Sequence, residues 1–431
     1  MLFNFSFFGD DKRAHRTLGV LVCVAMLASQ ALAQTTRQPP VPAPLSAPTL
    51  KQALDAAWQL SPNARAEGNR RSELAAKEKA ATRWISGEPV AGIAHRTDGL
   101  NRNEGFREYE AELELPLWNP GVRAAAQADI SAQRLGFDGQ FQLAKLKLAG
   151  ELRTLSASIA AAQVELDLNQ RKLFEATALS LDLSRRVKAG ENARVDGLQA
   201  QVLEQQAQAA IAQAESQLSR YQSQWRSLTG LSTVAPQDEL LASSLYGQSD
   251  AATLSADHPA LRSARARVGS AQAKVALAAA DKRDPMSVGL GVARERANFA
   301  GSNDTKLRIA LRIPLGGDNR NAPRQAAAAA ELDTAQADLD AAQRQLPAEV
   351  AAATSDLRAA RAALAAARER VRLSTEVQAL VTKSWRLGDS DLPTRLRADN
   401  EQFEARLSFA KASIDVQRGV ANLNQAHGLL P

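Results

Sequence analysis

The sequence predicts a mainly α-helical chain that also carries a membrane β-barrel, built jointly with other subunits. Three observations predict this. One unit is used twice at an offset of 198 residues. Long stretches repeat apolar or small residues at coiled-coil spacing. Each unit also holds two short stretches in which polar and apolar residues alternate.

The N-terminus is set aside first. Lys12, Arg13 and Arg16 precede the apolar run "LGVLVCVAMLA" (18–28), and "ALA" (31–33) ends before Gln34. A basic region, a short apolar core and an A-x-A site describe a secretory signal over residues 1–33, cleaved between Ala33 and Gln34. The run is too short for a membrane-spanning helix. Cys23, the only cysteine, lies inside it and follows Val22 rather than the small residue that lipid anchoring would need. The mature chain then lacks both a disulfide framework and a thiolate metal site. Residues 34–48, including "QPPVPAPLSAP", form a Pro-rich leader.

Aromatic residues make up 4% of the chain and alanine is abundant, which suits closely packed long helices better than several compact cores. The net charge of +6 falls to +5 once the three basic and two acidic residues of the signal are removed. Charges of both signs are interspersed, so no nucleic-acid stripe is indicated.

The first unit spans 49–231 and the second 251–431, with a linker at 232–250. "LELPLWNPG" (113–121) falls on "LRIPLGGDN" (311–319), and "VKAGENARVDGLQAQ" (187–201) on "WRLGDSDLPTRLRAD" (385–399). "LTGL" (228–231) falls on "AHGL" (426–429), each at an offset of 198, while "LSPNARA" (60–66) meets "DHPALRS" (257–263) at 197.

Leu148, Leu152, Leu155, Ile159, Ala162, Leu166 and Leu173 step by fours and threes, with Asn169 in the slot before Leu173, and the second unit repeats the stripe from Leu346 to Val371. Helices are expected from about Gly121 to Lys188 and back from Asp196 to Thr229. The second pair runs from Pro323 to Leu387 and back to Gln425, with a kink at Pro347. The tips lie at 188–196, around Gly190, and at 386–394, around Gly388.

Strands are expected at about 89–96 and 106–117, and again at about 285–296 and 305–315. A ten-residue strand tilted by ~45° rises roughly 23 Å, the height of an outer-membrane apolar band. Trp84 and Trp118 flank the first hairpin, where interfacial aromatics would sit. Glu108, Glu110, Glu112 and Glu114 fall on Lys306, Arg308, Ala310 and Arg312, whereas the apolar Tyr109, Leu113 and Leu115 fall on Leu307, Leu311 and Ile313. The apolar face is kept and the polar face changes sign. In a barrel, Glu108, Glu110, Glu112, Glu114, Lys306, Arg308 and Arg312 would line the lumen and the apolar face would meet outer-membrane lipid. Four strands are too few to close a barrel, so several subunits must contribute. The alternatives are a soluble two-hairpin sheet, or a glutamate row that serves only the solubility of a lumen face.

This order of helix, hairpin, long helix, tip and return helix resembles the TolC family of outer-membrane efflux proteins, especially the cobalt-zinc-cadmium type. The junctions "ELPLWNPG" and "RIPLGGDNRN" and the tips "RVKAGENARVD" and "WRLGDSDLPT" carry the resemblance. It implies a homotrimer with a twelve-stranded barrel in a Gram-negative outer membrane, and a helical tunnel across the periplasm. It also implies a periplasmic adaptor and an inner-membrane pump of the RND type, with heavy-metal cations as cargo. The adaptor would be met at the tips: Arg185, Arg186, Gly190, Asp196, Arg386, Gly388, Asp389 and Asp391. The tip approaches carry Arg185, Arg186, Lys188, Lys383 and Arg386 where relatives ring the entrance with carboxylates, which puts a cation-attracting gate in doubt.

No phosphate loop, G-x-S-x-G elbow or paired nucleophile and base is visible, so no enzyme and no cofactor is expected. His95, His258 and His427 lie in different segments without ligand spacing, so no metal site is expected. The rival functions are the same channel serving drug efflux or type I protein secretion and, more remotely, a periplasmic coiled-coil scaffold without a barrel.

Overall fold

The computed structural model describes residues 47–236, 239–240, 257–316 and 318–431. The signal sequence, its Ala33–Gln34 site and Cys23 lie outside the described residues, as do 34–46 of the leader and 237–238 and 241–250 of the linker.

Helix α1 (Leu50–Leu60) opens with a capping box between Thr49 and Gln52, and Ser61 caps α2 (Pro62–Thr82) by accepting from the Ala64 N–H. The hairpin of β1 (Val90–Thr97) and β2 (Arg107–Leu117) leads into the 67-residue α3 (Val122–Lys188), which returns as α4 (Arg194–Thr229). At 1.5 Å per residue α3 is ~100 Å long. The second unit repeats the order: α5 (Pro259–Ala280), capped by His258, then β3 (Met286–Arg296), β4 (Asp304–Arg312), α6 (Asp318–Leu387) and α7 (Leu392–Ala426).

Two boundaries differ from the sequence pattern. The alternation expected to 315 ends as strand at Arg312. Helix α6 begins at Asp318, ahead of the expected Pro323, and is continuous through Pro323 and Pro347. Pro347 removes one hydrogen bond from the ladder. Buried Leu346, Val350 and Ala353 on either side of it hold the helix in place.

The coiled-coil stripe becomes the core. Leu152, Ile159, Ala162 and Leu166 of α3 pack with Leu50 and Leu54 of α1 and with Ala214, Leu218 and Trp225 of α4. In the second unit Val350, Ala353 and Leu357 meet Leu423 of α7. Gly419 comes so close that a Cβ there would stand 3.1 Å from the Leu357 Cδ1.

One buried cation joins the units. Arg153 on α3, only 2% exposed, donates two bonds to Glu239 at 2.8 and 2.7 Å. It also donates to the Gln425 side chain at 2.5 Å and to the Leu429 carbonyl at 3.1 Å. Its charge is thus met by a carboxylate and two neutral acceptors, as a buried guanidinium requires.

The strands form one antiparallel sheet in the order β1-β2-β3-β4, so the two hairpins join through β2 and β3, and β1 and β4 are the edges. Among the described residues no helix is long and apolar enough to cross a membrane.

Candidate functional site

The register places residues of one face directly opposite one another. Glu110, Glu112 and Glu114 stand opposite Ala293, Gly291 and Gly289 on β3, which in turn stand opposite Lys306, Arg308 and Ala310 on β4. The charged face therefore has large acids on β2, large bases on β4 and small residues between them. Strands two apart lie roughly 10 Å from each other. Long side chains can bridge that gap only over small neighbours, and Ser287, Gly289 and Gly291 supply them.

The bridges form. Arg308 binds Glu110 at 2.9 Å, and Arg312 binds Glu114 at 2.5 Å and Glu112 at 3.4 Å. Ser287 donates its hydroxyl to Glu114, Arg96 of β1 pairs with Glu108 at 3.2 Å, and Lys306 pairs with Glu295. The seven charges singled out in the sequence thus share one face, joined to one another or to Arg96 and Glu295.

Exposure on this sheet is the reverse of a soluble one. The side chains of Glu108, Glu110 and Glu112 are 16, 15 and 20% exposed. Ile93, Leu307 and Ile309 on the apolar face are 91, 74 and 71% exposed. His95, expected without ligand spacing, stacks on Tyr109 on that same face.

At the far end of the helices, both turns are Schellman motifs. Gly190 has φ 79° and Gly388 φ 84°. The Glu191 and Asp389 N–H groups reach back to the Arg186 and Ser384 carbonyls at 2.9 and 3.0 Å. A β-carbon at such φ costs roughly 1–2 kcal/mol, which explains the glycines. Asp391 caps α7 by accepting from the Thr394 N–H at 3.0 Å, and Thr394 holds its carboxyl below the usual range. Asp196 accepts from Asn192 at 3.2 Å.

The two tips of the chain meet through a cluster that the sequence pattern did not reveal. Trp385 of α6 is buried with Leu179, Leu183, Ala200 and Leu392. The guanidinium carbons of Arg186 and Arg395 lie 4.8 and 4.0 Å from its ring centre. Arg186 also binds Asp182 at 3.1 Å, whereas Arg185, Arg386 and Asp389 are exposed. A tryptophan beside a tip glycine in one unit, with Val187 in the other, was the available signal.

The structure brings together two histidines that the sequence kept apart. His258 is buried at the start of α5, with Nδ1 accepting from the Ala260 N–H at 3.1 Å. Burial, opposed by a backbone bond and helped by nearby His427, holds its pKa below the ordinary value. Among the described residues no group of three or more His, Cys, Asp or Glu could hold a metal ion.

The architecture is that of solved outer-membrane channels. A membrane protein from Pseudomonas aeruginosa superposes with a TM-score of 0.71 at 19% identity, covering 92% of this chain and 100% of that one. The outer membrane protein VceC from Vibrio cholerae gives 0.70 at 15% identity, over 88% and 96% of the two chains. The CmeC outer membrane channel of Campylobacter jejuni gives 0.70 at 12%, over 88% and 85%. No curated protein sequence matches the chain. Residues 252–429, essentially the second unit, match the family model described as outer membrane efflux protein. The chain thus has the fold of these channels, and its second unit carries the match to the efflux protein model.

Proposed function

We propose that three copies of this chain close a twelve-stranded barrel through the edges of β1 and β4, with the charged face lining the lumen. Heavy-metal cations then leave through the duct, delivered by a periplasmic adaptor at the helical tips and an inner-membrane pump of the RND type. The observation that carries this reading is the inverted exposure of the sheet. Apolar side chains stand out where lipid would cover them, and on the opposite face the acids are sheltered beneath their more exposed basic partners. Glu112, whose repeat position holds Ala310 rather than a base, favours cationic cargo.

Drug efflux is the second reading, favoured by Arg185, Arg186, Lys188, Lys383 and Arg386 near the tips, where a cation would be repelled. A deletion strain grown on panels of metal salts and of drugs decides between them. Sensitivity to metals alone supports the first reading and sensitivity to drugs alone the second. Cysteines at 112 and 113 test the barrel: an impermeant reagent should reach the first through the pore and a lipid-phase probe the second. The opposite pattern would overturn it.

A further inference from the structure

The charged face is a duplicated ladder in which one acid of β2 has no base at its repeat position. Residues 198 apart fall on a common diagonal across β3, and on it Glu110 meets Arg308 and Glu114 meets Arg312. The same diagonal from Glu112 ends at Ala310, which offers no charge. Glu112 takes instead the second nitrogen of Arg312 at 3.4 Å, while Glu114 holds the first at 2.5 Å. A shared contact of that length is weak beside short charge-assisted ones. The Glu112 carboxylate lies over Gly289, where a Cβ would come within 2.6 Å of its Oε1. The residue is also the midpoint of β2 (Arg107–Leu117).

We infer that Glu112 sets the preference of the barrel for small cations, while Glu110 and Glu114 are neutralised within the sheet. The inference rests on the lumen reading proposed above. In a trimer three Glu112 carboxylates stand at one height in one wet passage, whose low-dielectric wall concentrates their field. Arg312 is committed to Glu114 and compensates them only in part. The neighbouring rungs hold their charges in pairs and add little net field.

The full-length channel in planar bilayers tests this by its reversal potential in a KCl gradient. The unaltered protein should prefer potassium over chloride. Glu112→Gln, and Ala310→Arg, which supplies the missing base, should each at least halve the permeability ratio. The pair Glu110→Gln with Arg308→Gln removes one complete rung and should leave the ratio unchanged. An unchanged ratio in Glu112→Gln or Ala310→Arg overturns the inference, as does an equal shift from the double variant. Labelling of Glu112→Cys separates the two levels. Labelling through the pore beside unchanged selectivity sinks only this inference, whereas labelling from lipid alone sinks the lumen reading with it.

Discussion

At the scale of single residues, two buried ionisable groups fix the middle of the helical region. Arg153 donates four hydrogen bonds, to Glu239, Gln425 and the Leu429 carbonyl, and its removal would leave Glu239 sheltered without its partner. Breaking a buried pair by deleting one partner costs about 3–5 kcal/mol. Arg153→Ala should therefore lower the thermal midpoint markedly and loosen the chain end, whereas Glu239→Gln, which keeps an acceptor, should cost less. Circular dichroism melts and hydrogen exchange at 424–429 would show it, and an unchanged melt would contradict it. His258 gives a pH signature. Its folded-state pKa lies below the ordinary histidine value, so the unfolded chain binds more protons in that range. The stability it supports is complete above the unfolded value and declines as pH falls through the folded one. His258→Asn keeps an N-cap acceptor and should flatten the decline between about pH 7 and 5. An equally steep fall in the variant would assign the effect to other groups. The burial of neither group was visible in the sequence. Arg153 falls on Ala351 in the second unit, so the repeat carried no hint of it, and its partners lie 86 and 272 residues away.

At the scale of elements, the hairpins are two-faced and their register is fixed by that. A slip of one residue would turn every charge to the apolar side. Leu113→Arg or Ile309→Arg places a single charge there, at a cost of roughly 2–4 kcal/mol near the bilayer midplane. Both should reduce the heat-modifiable oligomer on gels, while Glu112→Gln should leave it intact; normal assembly of both arginine variants would count against a lipid-facing surface. The element types were legible because period two and period three-to-four cannot be confused over such lengths. The small residues of β3 were legible only as alternation. Their task, letting acids and bases of equivalent strands reach across, needed the strand order, which the sequence pattern does not supply. The strand end at Arg312 falls two residues before Pro314, which has no N–H for the ladder, whereas the passage of α6 through two prolines is held by packing.

At the scale of the whole molecule, duplication gives two long hairpins whose tips are not equivalent. Val187 in one unit corresponds to Trp385 in the other, and that tryptophan, between Arg186 and Arg395, fastens the two tips of one chain together. The fold class and the positions of both tip glycines follow from the repeat, but this asymmetric contact does not. It separates two arginines that looked alike in sequence. Arg386 is exposed beside Gly388, whereas Arg186 is half-buried against Trp385 and Asp182. If the tips meet a periplasmic adaptor, Arg386→Glu changes only the outer surface. It should lower efflux several-fold while leaving the melting midpoint and the membrane-inserted oligomer unchanged. Arg186→Glu should lower efflux as well, and in addition weaken the tip cluster, since a cation over an indole contributes about 0.5–2 kcal/mol and a carboxylate there is repelled. Resistance assays, paired with proteolysis at the tips, distinguish the two effects. Full efflux in Arg386→Glu together with Arg185→Glu would rule out this surface as the docking face. Protease-resistant tips in Arg186→Glu would show that apolar packing alone holds Trp385 in place.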